Sequence, residues 1–493
     1  MGSAALYHLA RRGKRALGLE RFDLLHEHGS SHGLTRIIRL AYFEHPDYVP
    51  LLRRAYELWR ELEAEAGERL LHVTGIVEGG DRILDGVLRS CEEHDIPHEV
   101  LNGAEIAERF PAYHLPPAMD GGPHQPIAPG GTWDPSWTID QPAATLWYHP
   151  HPHGKTEAQV ASGLAGLFLI DDPAEQSLPL PREYGVDDVP LVVQDVRFSG
   201  EGSFEKSDNF VGSLGDQLLV NGTVGPFLEV ATDVIRLRLV NASTARVYDF
   251  AFSDGREFAQ IASDGGLLEA PLSTTDVQLS PGERAEILVT MTQGERVVLR
   301  SVHPDLGGTI GYFGGNNGGG DSFDVLELRA AAPLRHAGEV PAALVPIERI
   351  DEDAATKSRT FTMDGTQINQ QQMDMNRIDE VVELGATEVW SVTNNMAFPH
   401  SFHVHDVQFQ VLDIAGSAPP AALAGWKDTV YLRPNENYRL IMRFTDYADS
   451  EHPYMYHCHL LRHEDSGMMG QFLVVKPGTT VPTANEGESH HEH

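Results

Sequence analysis

Apolar positions keep one period in the first hundred residues and another in the rest of the chain. Tyr48, Leu52, Ala55, Trp59 and Leu62 recur at spacings of four, three, four and three, which places them on one face of an α-helix. From about residue 125 onward β-branched and aromatic runs alternate strictly with polar positions, as in Val407, Phe409, Val411 and in Tyr438, Leu440, Met442, Phe444. Such runs, separated by Gly, Pro, Asn and Asp, predict strands. The expectation is a helix-rich head followed by a mainly β chain. The Gly-rich stretch FGGNNGGGD at 313–321 predicts a surface loop, and the Ala/Pro-rich stretch near 330–357 an interdomain linker.

Length and charge narrow this picture. The 493 residues, 41% of them hydrophobic, suffice for several domains with real cores. Lys and Arg total 37 against 72 for Asp and Glu, a net charge of −35 that repels phosphate backbones and anionic membranes. Nucleic acid is therefore not expected as a partner. Membrane insertion is not expected either, because nothing approaches the ~20 apolar residues of a span. The opening MGSAALYHLARRGKRALGLE lacks the basic, apolar and cleavage regions of an export signal, so the chain as written is expected to be soluble and unexported. Cys91 and Cys458 lie too far apart for a disulfide framework. Cys91, with no histidine nearby, reads as a small packing residue.

Candidate chemistry sits in three clusters: Trp147-Tyr-His149-Pro-His151-Pro-His153, His400-Ser-Phe-His403-Val-His405, and His457-Cys458-His459 followed by His463 and Met468. Imidazole suits copper, and a thiolate with two histidines and a long axial Met is a blue-copper donor set. On a strand, alternate side chains share a face, so His457 and His459 project one way and Cys458 the other. The same period puts His403 with His405, and His149 with His151. A lone His-x-His is usually surface or packing, and His114, His124, His153 and the HHEH tail read that way. The joint pattern is far more specific than any one pair.

These motifs resemble those of bacterial multicopper oxidases of the laccase and cuprous-oxidase type, over about residues 114–475. The resemblance implies cupredoxin-like Greek-key β-sandwiches, copper as cofactor, and one-electron oxidation of a phenolic or metal-ion donor coupled to reduction of dioxygen to water. Carried over by position, it implies type 1 copper on His400, Cys458, His463 and Met468. It implies type 3 copper on His149, His151, His405, His457 and His459, and type 2 copper on His403. Asp120 in MDGGPHQ and Glu464 match acidic residues that assist proton delivery. The implied domains are a truncated first sandwich at 114–172, a second at 173–330, a linker at 331–357 and a third at 358–478, with a disordered tail at 479–493. Relatives of this type are usually periplasmic or secreted.

The head, through MGSAALYHLARRGKRALGLERFD, GSSHGLTRIIR and YVPLLRRAYELWRELE, resembles the start of monomeric sarcosine oxidase, an FAD-dependent amine oxidase, over about residues 1–113. That resemblance implies a partial α/β Rossmann-type fragment in which Glu20 matches the ribose-binding acid. Met1-Gly2 matches only the last step of the dinucleotide turn, so FAD binding is not expected. The copper pattern breaks at the same junction. A family H-x-H-G cluster would place its histidines at Arg109 and Pro111, which implies a fusion near 111–117. One type 3 copper then keeps His151, His405 and His457, the other His149 and His459, and type 2 keeps His403 alone. Two readings follow: a laccase-like oxidase impaired by that loss, or a copper-binding, electron-transfer protein without full oxidase activity.

Overall fold

In a computed structural model, the structure describes residues 139–479 except 200–203, 206–208, 308–317 and 338–339. Before them it describes residue 7 and residues 9–15, 38–41, 45–67, 69–71, 81–100, 119–120 and 126–127. The chain divides into two compact units, Met1–Arg109 and Phe110–His493.

In the first unit the predicted helix spans Tyr48–Ala66 and ends at Gly67, whose left-handed φ of 69° lets its N–H reach the Glu63 carbonyl. The apolar stripe is only partly covered: Leu52, Ala55 and Leu62 are half-buried, while Tyr48 and Trp59 are exposed. A second helix, Asp81–Glu93, carries Cys91, which is buried as its packing role requires. Met1, Gly2 and Glu20 lie outside the described residues.

Among its described residues the second unit is mainly β, with short helices such as Thr156–Ala161 and Leu461–Asp465. Strands Lys357–Asp364, Thr387–Asn394, Asn437–Arg443 and Phe409–Ile414, with the short Gln367–Ile368, form one five-stranded sheet. Glu380–Glu383, Met469–Val475, Asp449–Cys458, His400–Val404 and Thr429–Leu432 form the facing one. Between them lie Trp390, Phe361, Phe402, Phe409, Phe444 and Phe472, all fully buried; each contributes roughly 1.5–3 kcal/mol by leaving water. A second sandwich pairs a five-stranded sheet with a seven-stranded one around Leu237, Leu239, Phe250, Ile287 and Leu299.

Strand Phe323–Arg335 runs past residue 330, parallel to Phe227–Thr232 with Ala330 opposite Val230. Beyond it, Leu344 packs with Leu180, Ile261 and Leu268, and Ile350 with Val389 and Ile441. Apolar residues every few positions pack this interdomain segment down along its length. Within the Gly-rich stretch, residues 313–317 lie outside the described residues and 318–320 form a turn.

Ahead of the second sandwich, Ala144–Tyr148 pairs with Gly166–Ile170, and Met119–Asp120 with Pro126–Ile127; among the described residues neither pair has a third strand. The first of these hairpins is pinned by buried polar contacts. Thr145 Oγ1 donates to Glu286 Oε1 at 2.6 Å and accepts from Arg238 at 2.9 Å. Glu286 also pairs with Arg236, and Arg238 with Asp188. No described helix is long and apolar enough to cross a membrane.

Candidate metal centre

Register brings the first donor set together. Strands His400–Val404 and Asp449–Cys458 run antiparallel with Phe402 opposite Cys458 and His403 opposite His457. The short helix Leu461–Asp465 then turns His463 back toward the thiol. Cys458 Sγ lies 3.4 Å from His400 Nδ1 and 3.7 Å from His463 Nδ1, and the two nitrogens are 3.3 Å apart. A triangle of that size has its centre about 2 Å from each corner, a metal–ligand bond length. All three side chains are fully buried. Met468 is buried in the same core cluster as Cys458, and its carbonyl accepts the Cys458 N–H at 3.0 Å. The Phe398 ring lies 5.1 Å from His400 and the Phe210 ring 5.1 Å from His463. Phe210 itself is 50% exposed.

Six histidines make the second set. His457 Nε2 is 3.2 Å from both His151 Nε2 and His405 Nε2, and the three offer converging donor atoms. Beside them the His459 ring lies 5.4 Å from His149 and 5.6 Å from His403, and His403 lies 5.2 Å from His457. Trp147 packs on His149 at 4.6 Å and on His459 at 5.5 Å. Strand alternation accounts for the opposed faces of His457 and Cys458. It does not account for His149 and His151: the strand ends at Tyr148, and both rings stand on irregular chain next to Pro150 and Pro152.

Carboxylates and carbonyls orient these rings. Glu464, buried at 1% exposure, places one oxygen 3.2 Å from His457 Nδ1 and the other 3.6 Å from His151 Nδ1. Burial alone would raise its carboxyl, but the facing imidazoles of His151 and His457 hold it well below the usual range. His403 Nδ1 donates to the Asp428 carbonyl at 2.9 Å and lies 3.0 Å from Thr429 Oγ1. An imidazole whose Nδ1–H is engaged in this way offers Nε2 to a metal.

The sequence reading missed Asp428, Thr429, Phe210, Phe398 and the buried ion pairs, because each is brought in by tertiary contact; no motif marks them. Asp120 lies on the described strand Met119–Asp120, but its side chain is outside the described set, as are Arg109, Pro111, His114 and His124. His153 is exposed.

The donor sets fit copper. Burial pushes His463 down to about 4 and His151 likewise to about 4, so both stay neutral with a lone pair available. Burial pushes the Cys458 thiol up to about 12, so its thiolate calls for a cation beside it. His459 Nδ1 is buried with no hydrogen-bond partner among the described residues.

Comparison with known proteins gives the same direction. Residues 147–300 and 347–478 match multicopper oxidase family profiles, and residues 1–149 match an FAD dependent oxidoreductase profile. Cell division protein FtsP of Pectobacterium atrosepticum is 34% identical over 442 residues, covering 86% of this chain and 91% of the relative. FtsP of Escherichia coli is 36% identical over 369 residues, covering 73% and 76%. Among solved structures, the laccase-like multicopper oxidase CueO of Ochrobactrum sp. aligns with a TM-score of 0.65 at 36% identity, covering 72% of this chain and 82% of that one. McoA of Aquifex aeolicus aligns with a TM-score of 0.65 at 32% identity, covering 72% and 81%. With a β-sandwich architecture, two donor sets and these relatives, the chain belongs to the multicopper oxidase family.

Proposed function

We propose that this protein is a copper-dependent oxidoreductase that takes single electrons from a small phenolic or metal-ion donor at the Cys458 site and delivers them to dioxygen at the histidine cluster. The observation that carries this reading is the adjacency of the two donor sets: one peptide bond joins His457, in the histidine cluster, to Cys458, in the thiol triangle. Copper bound at the two sites supplies one-electron acceptance and the reduction of dioxygen to water.

The chain's own residues prepare that chemistry. His400, Cys458 and His463, with Met468 beside them, are buried and would hold one copper ion, and burial strengthens every charge interaction there. By family correspondence His151, His405 and His457 would hold one type 3 copper, His149 and His459 the other, and His403 the type 2 copper. Glu464 faces the Nδ1 atoms of His151 and His457 at 3.6 and 3.2 Å and favours their rings electrostatically, and together with Asp120 it would serve proton delivery.

Two other readings remain distinct. Arg109 and Pro111, at positions where the family pattern has histidines, favour a copper-binding electron-transfer protein that does not complete oxygen reduction. The name of the FtsP relatives favours a role connected with cell division; a metal-free scaffold would be one form of it, and the complete Cys458 triangle weighs against that form. Copper-loaded protein separates the three by visible absorption and oxygen uptake with a phenolic donor: blue colour with uptake for the oxidase, blue colour alone for electron transfer, neither for the scaffold.

A further inference from the structure

The second sandwich sends one turn, Ser280–Arg284, into the histidine cluster. Gly282 has a left-handed φ of 90°, and a Cβ added there would stand 2.8 Å from His459 ring atoms. Two residues on, Arg284 is 2% exposed, and all five of its side-chain N–H groups are used. Nε donates to the Thr145 carbonyl at 3.0 Å. Nη1 donates to the Gly282 carbonyl at 3.1 Å and to Asp428 Oδ1 at 2.7 Å. Nη2 donates to the Asp264 carbonyl at 2.8 Å and to Asp428 Oδ2 at 2.7 Å.

Asp428 is thus held as a bidentate pair, and its Oδ1 also accepts from Thr429 Oγ1 at 2.8 Å. Its backbone carbonyl is the acceptor of His403 Nδ1 at 2.9 Å. A carbonyl can only accept, so the hydrogen must sit on Nδ1 and the His403 lone pair on Nε2. Thr145, held by the same guanidinium, belongs to the strand that leads into His149 and His151.

We propose that Arg284 is a positioning residue for the histidine cluster: by clamping Asp428 it fixes His403 in the Nδ1–H form, and by holding the Thr145 carbonyl it ties the His149–His151 segment to the same point. The role of the Nε2 atom as a copper donor rests on the function proposed above; the clamp and the tautomer do not. A lysine at 284 keeps the charge but cannot supply the planar fork, so the arrangement calls for arginine.

The test uses the full copper-free chain labelled with 15N-histidine, read by long-range 1H–15N correlation, with His403 assigned by the signals lost in His403→Gln. The expected result is an Nδ1–H ring for His403 in the wild type. In Arg284→Lys the ratio of Nδ1–H to Nε2–H at His403 falls by about tenfold, the scale of one lost charge-assisted hydrogen bond, while exposed His153 is unmoved. If Arg284→Lys does not fold, Asp428→Asn, which weakens the pair and leaves the guanidinium in place, is expected to move the same ratio in the same direction.

An Nε2–H ring in the wild type overturns the proposal. So does an unchanged ratio in a folded variant, because a residue that only joins the sandwiches would lower the thermal midpoint and leave the tautomer alone. The copper reading is checked separately, by copper uptake into the wild type; its failure would leave the tautomer result standing.

Discussion

His457 and Cys458 are consecutive on one strand yet belong to different donor sets: Cys458 Sγ lies 3.4 Å from His400 Nδ1, while His457 Nε2 lies 3.2 Å from His151 and His405. The pleat alone produces this division. It allows one strand to serve two sites while keeping a covalent path between them. Cys458→Ser should therefore remove the blue absorption of copper-loaded protein and leave metal uptake by His151, His405 and His457 in place. The buried hydroxyl has a poor partner in a triangle of imidazoles, so a stability loss of about 1–3 kcal/mol is expected in denaturant titration. Retained blue colour in the serine variant would contradict the assignment of Cys458.

The Phe210 ring covers His463, and His463 is itself fully buried. On the function proposed above, electrons from a donor in solvent would arrive across, or beside, an exposed aromatic face. Phe210→Ala should cost only about 1 kcal/mol of stability, since half of the ring is already in water. Reduction of the blue site by a small hydrophilic donor should become faster, and the apparent affinity for aromatic donors should fall about two- to tenfold, the value of one ring–ring contact. Stopped-flow bleaching of the blue band with the two donor types measures both; equal effects on the two would remove Phe210 from the donor path.

Acid should loosen the hairpin that leads to His149. Burial opposes the Glu286 charge, but Arg236 and Arg238 overcome it and hold the carboxyl down to about 2, against 4.5 ordinarily. A depressed carboxyl contributes stability above its unfolded value and loses it as pH falls. The contribution, about 3 kcal/mol by linkage, is expected in full above roughly pH 5 and to fade between about 4.5 and 2. Glu286→Gln should cost about 3–5 kcal/mol at neutral pH, because two guanidinium groups are left underpaired. Its deficit against the wild type should shrink on acidification. Urea titrations from pH 7 to pH 3 test this; a deficit that stays constant would place the stabilising charge elsewhere.

How much of this was readable beforehand follows from the range of each interaction. The candidate donors His400, His403, His405, His457, Cys458, His459 and His463 stood out because they lie within a few residues of one another in two clusters, and strand alternation sets His457 and Cys458 on opposite faces. The helix Tyr48–Ala66 and the strand Asn437–Arg443 were legible for the same reason, and the family resemblance supplied the sandwich architecture. Arg284, Asp428 and Phe210 carry no such mark. Arg284 meets Thr145 and Asp428 across 139 and 144 residues of sequence, and only the finished sandwiches bring them together. For the segment after residue 330, Ala and Pro content suggests a linker but does not mark its packing, which the positions of Leu344 and Ile350 decide.

The sharpest expectation concerns the two positions where the family histidines are missing. Arg109 and Pro111 offer no imidazole, so His403 is the one type 2 donor assigned by position. A single imidazole competes poorly with water and with neighbouring sites for a copper ion. By the same correspondence five histidines fall to the type 3 pair, and His400, Cys458 and His463 converge. Copper should therefore load the Cys458 site first and fully, give a blue band of ordinary intensity, and give a weak type 2 paramagnetic signal. Oxygen uptake with a phenolic donor should run far below that of a relative such as CueO, because electrons reaching the cluster would find it incomplete. Arg109→His with Pro111→His restores donor types but not the strands that would aim them, and a one-residue error in register turns a side chain to the wrong face. The double variant should thus gain little, whereas grafting the relative's whole H-x-H-G segment with its flanking strands should raise both the type 2 signal and turnover. Full copper occupancy and relative-like oxygen uptake in the unaltered chain would refute the expectation and would mean that other side chains occupy the vacant places.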